Sequence, residues 1–189
     1  MAIFKKAFEV TMVHEGIYSN LPTDRGGETF CGISRVHHPN WVGWDVIDTC
    51  KELREDIRDL VNHPTMQHQL EIFYKGKYWD SWKGDLFSSQ EVANELFDTA
   101  VNMGVGVAKI FLQRSVNLLN RQGKITPDLV VDGAIGPKTL RGLSAIIQRR
   151  DPITFQKVLN GLQFSRYVDI VERDRTQEEN FYGWIRARI

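Results

Sequence analysis

The sequence predicts a mainly helical protein of the α+β class, with one small β-hairpin. Two observations support this prediction. Apolar residues recur every three or four positions along most of the 189 residues, and short turns rather than long linkers separate these stretches. One glycine-rich stretch differs: from Asp24 to Ser34 it carries turn-forming residues and ends in Phe30 and Ile33, with Val36 just beyond. That composition is typical of a hairpin.

The first helix is predicted from Ile3 to Glu15, where Gly16 can end it. One face of this helix carries Phe4, Phe8, Met12 and Glu15. Glu15 therefore stands at the end of an apolar face, where desolvation would raise the pKa of its carboxyl group. The negative end of the helix dipole acts in the same direction. A carboxyl group that stays protonated near neutral pH can serve as a general acid. The alternative is an ordinary surface glutamate at a helix end.

Further helices follow from capping and periodicity. Asp48 or Thr49 is predicted to cap a helix whose inward face carries Leu53, Ile57, Leu60 and Val61, and a second helix runs over 66–74. The segment Ser88-Ser89-Gln90-Glu91 fits a capping box, and opens a helix that Gly104 and Gly106 end. Later helices are predicted over 107–120, 138–149 and 152–173, and the segment 178–184 closes the chain. Pro137 suits the start of the second of these.

The candidate catalytic residues are Glu15, Asp24 and Thr29. Asp24 and Thr29 follow Glu15 in one stretch in which Pro22, Gly26 and Gly27 favour turns. An acid, a second acid and a hydroxyl group suit the hydrolysis of a glycosidic bond. One carboxylic acid protonates the leaving oxygen, and a second polar group activates water on the other face of the sugar.

These motifs resemble glycosyl hydrolase family 108. The resemblance begins with Glu15-Gly16-Ile17-Tyr18 and Pro22-x-Asp24-x-Gly26-Gly27-x-Thr29-x-x-Gly32-Ile33. It continues through Tyr74-Lys75-Gly76-Lys77-Tyr78-Trp79, Phe97-Asp98-Thr99-Ala100-Val101-Asn102-Met103-Gly104, Leu112-Gln113-Arg114-Ser115-Val116-Asn117 and Val131-Asp132-Gly133-Ala134-Ile135-Gly136-Pro137-Lys138-Thr139-Leu140. The family usually has a second glycine where Ile17 stands, a departure that leaves the acid in place.

The resemblance implies a lysozyme-like N-acetylmuramidase, of the kind found in phage endolysins and bacterial secretion-activator proteins. Such an enzyme would cleave the β-1,4 bond between N-acetylmuramic acid and N-acetylglucosamine. Similarity to inverting phage lysozymes implies that Glu15 is the acid, Asp24 the base that positions water, and Thr29 a ligand of that water. The resemblance to family 108 also implies a catalytic lobe over 1–105 and a helical peptidoglycan-binding lobe over 106–189. Because the sequence shows no flexible linker between them, we expect the second lobe to pack on the first.

Substrate contacts are predicted for Tyr18, Tyr78, Trp79 and Asn102. Aromatic rings commonly stack on the apolar faces of sugars, although burial in the core is the commoner fate of Trp and Tyr.

Asp98 and Asn102 lie one helical turn apart. They are either a second catalytic pair or part of a buried helix-to-loop hydrogen bond. Arginines at 114, 166, 173 and 175 either contact peptide-stem carboxylates of peptidoglycan or lie on solvated faces.

Composition argues against several other classes of protein. Lys plus Arg and Asp plus Glu both number 24, and this balance argues against a nucleic-acid partner. No apolar stretch is long enough for stable membrane insertion, and residues 1–13 lack the features of a signal peptide. We therefore expect synthesis in the cytoplasm, followed by release to the cell wall in the periplasm through a holin, an export system or lysis.

No metal or other cofactor is expected. Cys31 and Cys50 are too few for a disulfide framework, and Cys31 is predicted to be a small buried residue. His37 and His38 are adjacent rather than at the spacing of helical metal ligands.

Three functions remain open from the sequence. The chain is a muramidase, a cell-wall-binding or secretion-accessory protein with a degenerate site, or a lytic transglycosylase, which needs one acid and no partner that activates water. The combination of Glu15, Asp24 and Thr29 favours hydrolysis.

Overall fold

The computed structural model describes residues 1–13, 16–20 and 27–189 and confirms the predicted fold class, since it is mainly helical with a small antiparallel sheet. The α-helices are α1 (Phe4–Met12), α2 (Gly43–Leu53), α3 (Pro64–Tyr74), α4 (Gln90–Met103), α5 (Val105–Leu118), α6 (Pro137–Arg149), α7 (Pro152–Arg173) and α8 (Glu178–Arg188). Packing divides the chain into a smaller unit, Glu9–Lys77, and a larger unit, Met1–Phe8 with Tyr78–Ile189. In the described ranges, no helix is both long and apolar enough to cross a membrane.

In the described part of the smaller unit, the sheet has three strands: β1 (Tyr18–Ser19), β2 (Thr29–Phe30) and β3 (Ile33–Ser34). The hairpin between β2 and β3 was predicted, whereas β1 was not. Cys31 and Gly32 connect β2 to β3 with φ values of 45° and 79°, as the two central residues of a type I′ turn require. The Tyr74 hydroxyl donates to the Cys31 carbonyl at 2.7 Å, which ties the turn to α3.

The helix predicted to start at Asp48 or Thr49 and continue to Val61 is wrong in its bounds. Helix α2 begins at Gly43, because Trp44, Ile47 and Cys50 form its buried face. It ends at Leu53, and the next residue, Arg54, adopts a left-handed conformation with φ of 59°. A separate 3₁₀ helix then covers Ile57–Asn62.

An aromatic core holds the first part of the larger unit together. The ring of Trp79 lies 5.8 Å from that of Phe4, 4.7 Å from that of Trp82 and 6.1 Å from that of Phe97. Gly84 packs directly against this indole, since a Cβ atom there would stand 2.2 Å from the ring. Any side chain at this position would therefore displace Trp79.

Helices α4, α5 and α7 pack against one another in the larger unit. Ser89 caps α4 by accepting a hydrogen bond from the Val92 amide, close to the predicted capping box. Gly104 alone separates α4 from α5, with φ of 91°. The prediction that Gly106 also ends the helix is wrong, because Gly106 lies in the first turn of α5.

Candidate active site

Two of the three predicted catalytic residues, Glu15 and Asp24, lie outside the described residues. Thr29 is described and occupies β2, where its backbone is the register partner of Ser19 on one side and Ser34 on the other. These three hydroxyl-bearing residues therefore form one row across the sheet. In the sequence, Asp24 belongs to the connection between β1 and β2, and Glu15 precedes β1.

The two faces of the sheet differ in chemistry. Successive residues of a strand point to opposite faces, so Thr29 faces away from Glu28 and Phe30. Phe30 is fully buried, as is its register partner Ile33. The face opposite Thr29 thus packs into the smaller unit. Ser19, Thr29 and Ser34 are each half-buried, and their row belongs to the other face.

The hydroxyl group of Thr29 already has one partner. It donates a hydrogen bond to the Gly27 carbonyl at 3.3 Å. A threonine oxygen has two acceptor lone pairs besides its single donor hydrogen. Because the hydrogen is committed to Gly27, the oxygen of Thr29 remains able to accept a hydrogen bond from water.

A group of charged side chains supports the packed face of the sheet. The carboxylate of Glu28 accepts a hydrogen bond from the Tyr18 hydroxyl at 3.0 Å. It also forms ion pairs with Lys51 of α2 at 2.5 Å and with Arg35 Nε at 3.0 Å. The side chain of Glu28 is only 9% exposed, so these partners offset the cost of removing a carboxylate from water.

Arg35 connects Glu28 to α2. Its guanidinium group donates to both carboxylate oxygens of Asp48, at 3.1 and 2.7 Å, and lies over the Trp44 ring at 4.5 Å. The hydrogen bonds from Arg35 lower the pKa of Asp48. Burial raises the pKa of Tyr18, and the hydrogen bond to Glu28 raises it further. Tyr18 thus stays a neutral hydrogen-bond donor at physiological pH.

Glu28 was not among the site residues predicted from the sequence. Its partners come from β1, from the segment after β3 and from α2, and no sequence spacing relates these elements. The one local signal is its place directly before Thr29 in a short strand. An acidic residue there must point to the face opposite the threonine.

The other predicted substrate contacts belong to the larger unit. Trp79 is completely buried and donates from Nε1 to Asp85 at 2.8 Å, a placement that favours a role in the core. Tyr78 is half-buried. Asn102 is exposed and donates to the Asp98 carboxylate at 3.2 Å within α4. Asp98 also forms an ion pair with Arg188 at 2.5 Å, which joins α4 to α8.

Comparisons with known proteins indicate the same family as the sequence motifs do. The family model described as Glycosyl hydrolase 108 matches residues 8–104, and the model described as Predicted Peptidoglycan domain matches residues 107–189. A similar solved structure is titled "Structure of Brucella abortus SagA"; it is 23% identical with a TM-score of 0.58, and the match covers 98% of this chain and 91% of that one. At this identity the likeness shows a shared fold. No curated protein matches the chain.

The first of these family matches covers more than half of the sequence and includes β1, β2 and β3 with Thr29. The second covers helices α6, α7 and α8 and most of α5. The chain belongs to the glycosyl hydrolase 108 family and, with its peptidoglycan domain, is in general terms a peptidoglycan hydrolase.

Proposed function

We propose that this protein is an N-acetylmuramidase that cleaves the β-1,4 bond between N-acetylmuramic acid and N-acetylglucosamine with inversion. Glu15 is the general acid, Asp24 the general base and Thr29 the second ligand of the attacking water. The observation that best supports this assignment is the position of Thr29. Its side chain faces away from the packed side of the sheet, and its oxygen keeps acceptor capacity.

The proposed reaction is a single displacement. The protonated carboxyl group of Glu15 donates its proton to the glycosidic oxygen as the bond to the anomeric carbon breaks. Water on the opposite face of the sugar gives one proton to the Asp24 carboxylate and donates a hydrogen bond to the Thr29 oxygen. These two contacts leave a water lone pair free to attack the anomeric carbon.

Product analysis tests the reaction and the bond. Purified sacculi are digested, and the new chain ends are identified by mass spectrometry. We expect reducing N-acetylmuramic acid ends. Glu15→Gln should lower the rate on the order of a hundredfold to ten-thousandfold, since the amide cannot donate the proton. Glu9→Gln is the matched control, because Glu9 is an exposed residue of α1.

Other chain ends would contradict the proposal in recognisable ways. Anhydro ends would identify a lytic transglycosylase, and reducing N-acetylglucosamine ends would identify cleavage of the other glycosidic bond. Binding to sacculi without any new chain ends would identify an accessory protein with a degenerate site. Full activity of a folded Glu15→Gln variant would remove the assignment of the acid.

The cellular setting is part of the same proposal. The substrate is the cell wall, so the protein acts there after release through a holin, an export system or lysis, in an endolysin or a secretion-activator role. Separate assays of culture supernatant, periplasm and cytoplasm for sacculus-degrading activity would test this. Activity found only in the cytoplasmic fraction of unlysed cells, with no degradation of the cell wall when those cells lyse, would contradict it.

A further inference from the structure

Helix α5 and the turn directly after it hold the following loop through three side-chain amides. Gln113 is buried, and its Oε1 accepts hydrogen bonds from the backbone amides of Asp132 at 3.0 Å and Gly133 at 2.7 Å. Its Nε2 donates to the Ala134 carbonyl at 3.2 Å. The loop backbone therefore pairs with a side chain much as one strand pairs with another.

Asn117 lies one turn further along the same helix, and Asn120 lies two residues beyond the end of that helix at Leu118. Asn117 pairs with both the amide and the carbonyl of Leu129, each at 2.8 Å. Asn120, fully buried, accepts from the Thr126 amide at 2.9 Å. Positions 113 and 117 share one helical face, and Asn120 follows in the turn after α5, so the three amides support successive parts of the loop. The loop surface is thereby fixed before any ligand arrives, which reduces the entropy lost on binding.

The supported loop and the start of α6 enclose a groove of about 630 Å³ in the larger unit. Its apolar lining comes from Leu129, Val130, Ile135 and Pro137, and its cationic lining from Lys138 and Arg141. Val130 is 77% exposed, so an apolar side chain is presented to solvent on a rigid frame. Among the described residues that line the groove, none has an aromatic side chain.

The groove also carries both signs of charge. Lys138 and Arg141 are exposed, lie one turn apart on α6, and have no ion-pair partner among the described residues. Asp128 and Asp132 contribute carboxylates to the lining. One oxygen of each carboxylate already accepts a hydrogen bond within the protein. Asp128 accepts from the Asn120 side chain at 2.6 Å, and Asp132 accepts from the Ala134 amide at 2.8 Å. Hydrogen bonds from Gln113 and Ala134 lower the pKa of Asp132, which keeps that group ionised.

We propose that this groove binds the stem peptide of peptidoglycan rather than the glycan strand. A stem peptide carries several carboxylates, small methyl side chains and, at its third residue, an ammonium group. The peptide carboxylates match the two cations, the methyl groups match the apolar lining, and the ammonium group matches the two carboxylates of the groove. A glycan strand of N-acetylated sugars has no ammonium group, and sugar sites commonly supply aromatic rings, which the described lining of this groove lacks. The inference rests on the peptidoglycan substrate of the proposed function, but not on its cleavage step.

Titration of the full chain with a soluble stem tetrapeptide, L-Ala-γ-D-Glu-meso-diaminopimelate-D-Ala, tests the proposal. Calorimetry gives the affinity, and backbone amide NMR signals locate the site; we expect shifts confined to 126–141. The Lys138→Ala/Arg141→Ala variant loses two charge-assisted contacts, so its affinity should fall roughly tenfold or more. The matched control is Lys124→Ala/Arg150→Ala, which removes the same charges from exposed positions outside the groove.

A second variant keeps the test decisive if the double variant unfolds. Val130→Asp alters an exposed side chain and adds a negative charge beside the site, so it should weaken peptide binding while the melting temperature stays near that of the wild type. Equal affinity of the groove and control variants, or absence of tetrapeptide binding, would overturn the proposal. So would glycan strands freed of peptide that shift the same amide signals. Because the tetrapeptide has no glycosidic bond, this result is independent of whether Glu15 catalyses cleavage.

Discussion

The Tyr18 hydroxyl donates a hydrogen bond to the carboxylate of Glu28, 3.0 Å away, on the sheet face opposite Thr29. The two faces of this sheet of three short strands therefore have different roles. The face with Tyr18 and Glu28 attaches the sheet to α2 through Lys51, and the face with Thr29 carries the row of hydroxyl groups. The position of the proposed water ligand thus depends on contacts made on the other side of the sheet.

Tyr18→Phe should lower the free energy of unfolding by about 1 kcal/mol, because Glu28 loses one of its partners. Chemical denaturation measures this change. Tyr182→Phe, at an exposed position of α8, is the control and should leave stability unchanged. Sacculus binding by the same variant tests the separate prediction that Tyr18 contacts substrate. A Tyr18→Phe protein as stable as the wild type would show that the hydrogen bond contributes nothing.

Thr29→Val should lower kcat roughly fivefold, since one hydrogen bond to water contributes about 1 kcal/mol and a tenfold change in rate corresponds to 1.36 kcal/mol. KM should stay near its wild-type value, because the hydroxyl group holds water rather than sugar. Turbidity assays at several sacculus concentrations separate the two constants. Ser19→Ala, in the same row, is the control. A loss confined to KM would argue for a sugar contact instead.

Cleavage should proceed with inversion at the anomeric carbon. Inverting glycosidases keep their two carboxyl groups about 6.5–9.5 Å apart to admit water, whereas retaining ones need roughly 5 Å. A hydroxyl group beside the second carboxylate suits a bound water and has no evident use in a covalent mechanism. Proton NMR of the freshly released reducing end distinguishes the outcomes. If the β-anomer appears first from the β-linked strand, the roles given to Asp24 and Thr29 are wrong.

Glu95 should make the stability of the larger unit depend on pH. Its side chain is buried in α4 near Gln156 of α7, and burial raises its pKa to about 7, helped by the nearby charge of Asp98. The folded state therefore binds the proton more tightly than the unfolded state does. This contribution to stability is complete below the unfolded pKa of about 4.5 and is lost as pH rises through about 7.

Glu95→Gln removes this dependence, because an amide does not ionise. The variant should match the wild type near pH 4 and become more stable by up to about 3 kcal/mol near pH 8, as a shift from 4.5 to about 7 implies. Urea unfolding at both pH values measures the difference. Glu172→Gln, which changes an exposed residue of α7, is the control, and its difference in stability from the wild type should not change between the two pH values. Equal stability of the Glu95→Gln variant and the wild type at pH 8 would contradict the argument.

Local signals predicted part of this fold well. Helix α7 runs over Pro152–Arg173 as predicted, because proline at its first position and Asp151 before it define the start. The end of α2 could not be predicted in the same way. Arg54 has no residue-specific preference for the left-handed conformation that ends the helix, and apolar residues beyond it continue the helical spacing.

Only those features of the site that depend on neighbouring residues in the sequence were predicted. Thr29 stands on a short strand, in keeping with the predicted hairpin. Strand β1 was missed because two residues are too few for an alternating pattern. The partners of Glu28 and the burial of Trp79 depend on tertiary packing, and no local periodicity encodes that packing.

The three amides of α5 and of the turn after it hold the loop mostly through its main chain. Gln113 and Asn117 bond to backbone atoms at positions that almost any residue can supply. Side chains such as Val130, which point outward, are not part of that support. In the proposed stem-peptide site, mutations at such positions can alter ligand preference without a change in the scaffold. Under that proposal, ligand preference diverges among relatives of this protein much faster than the shape of the domain.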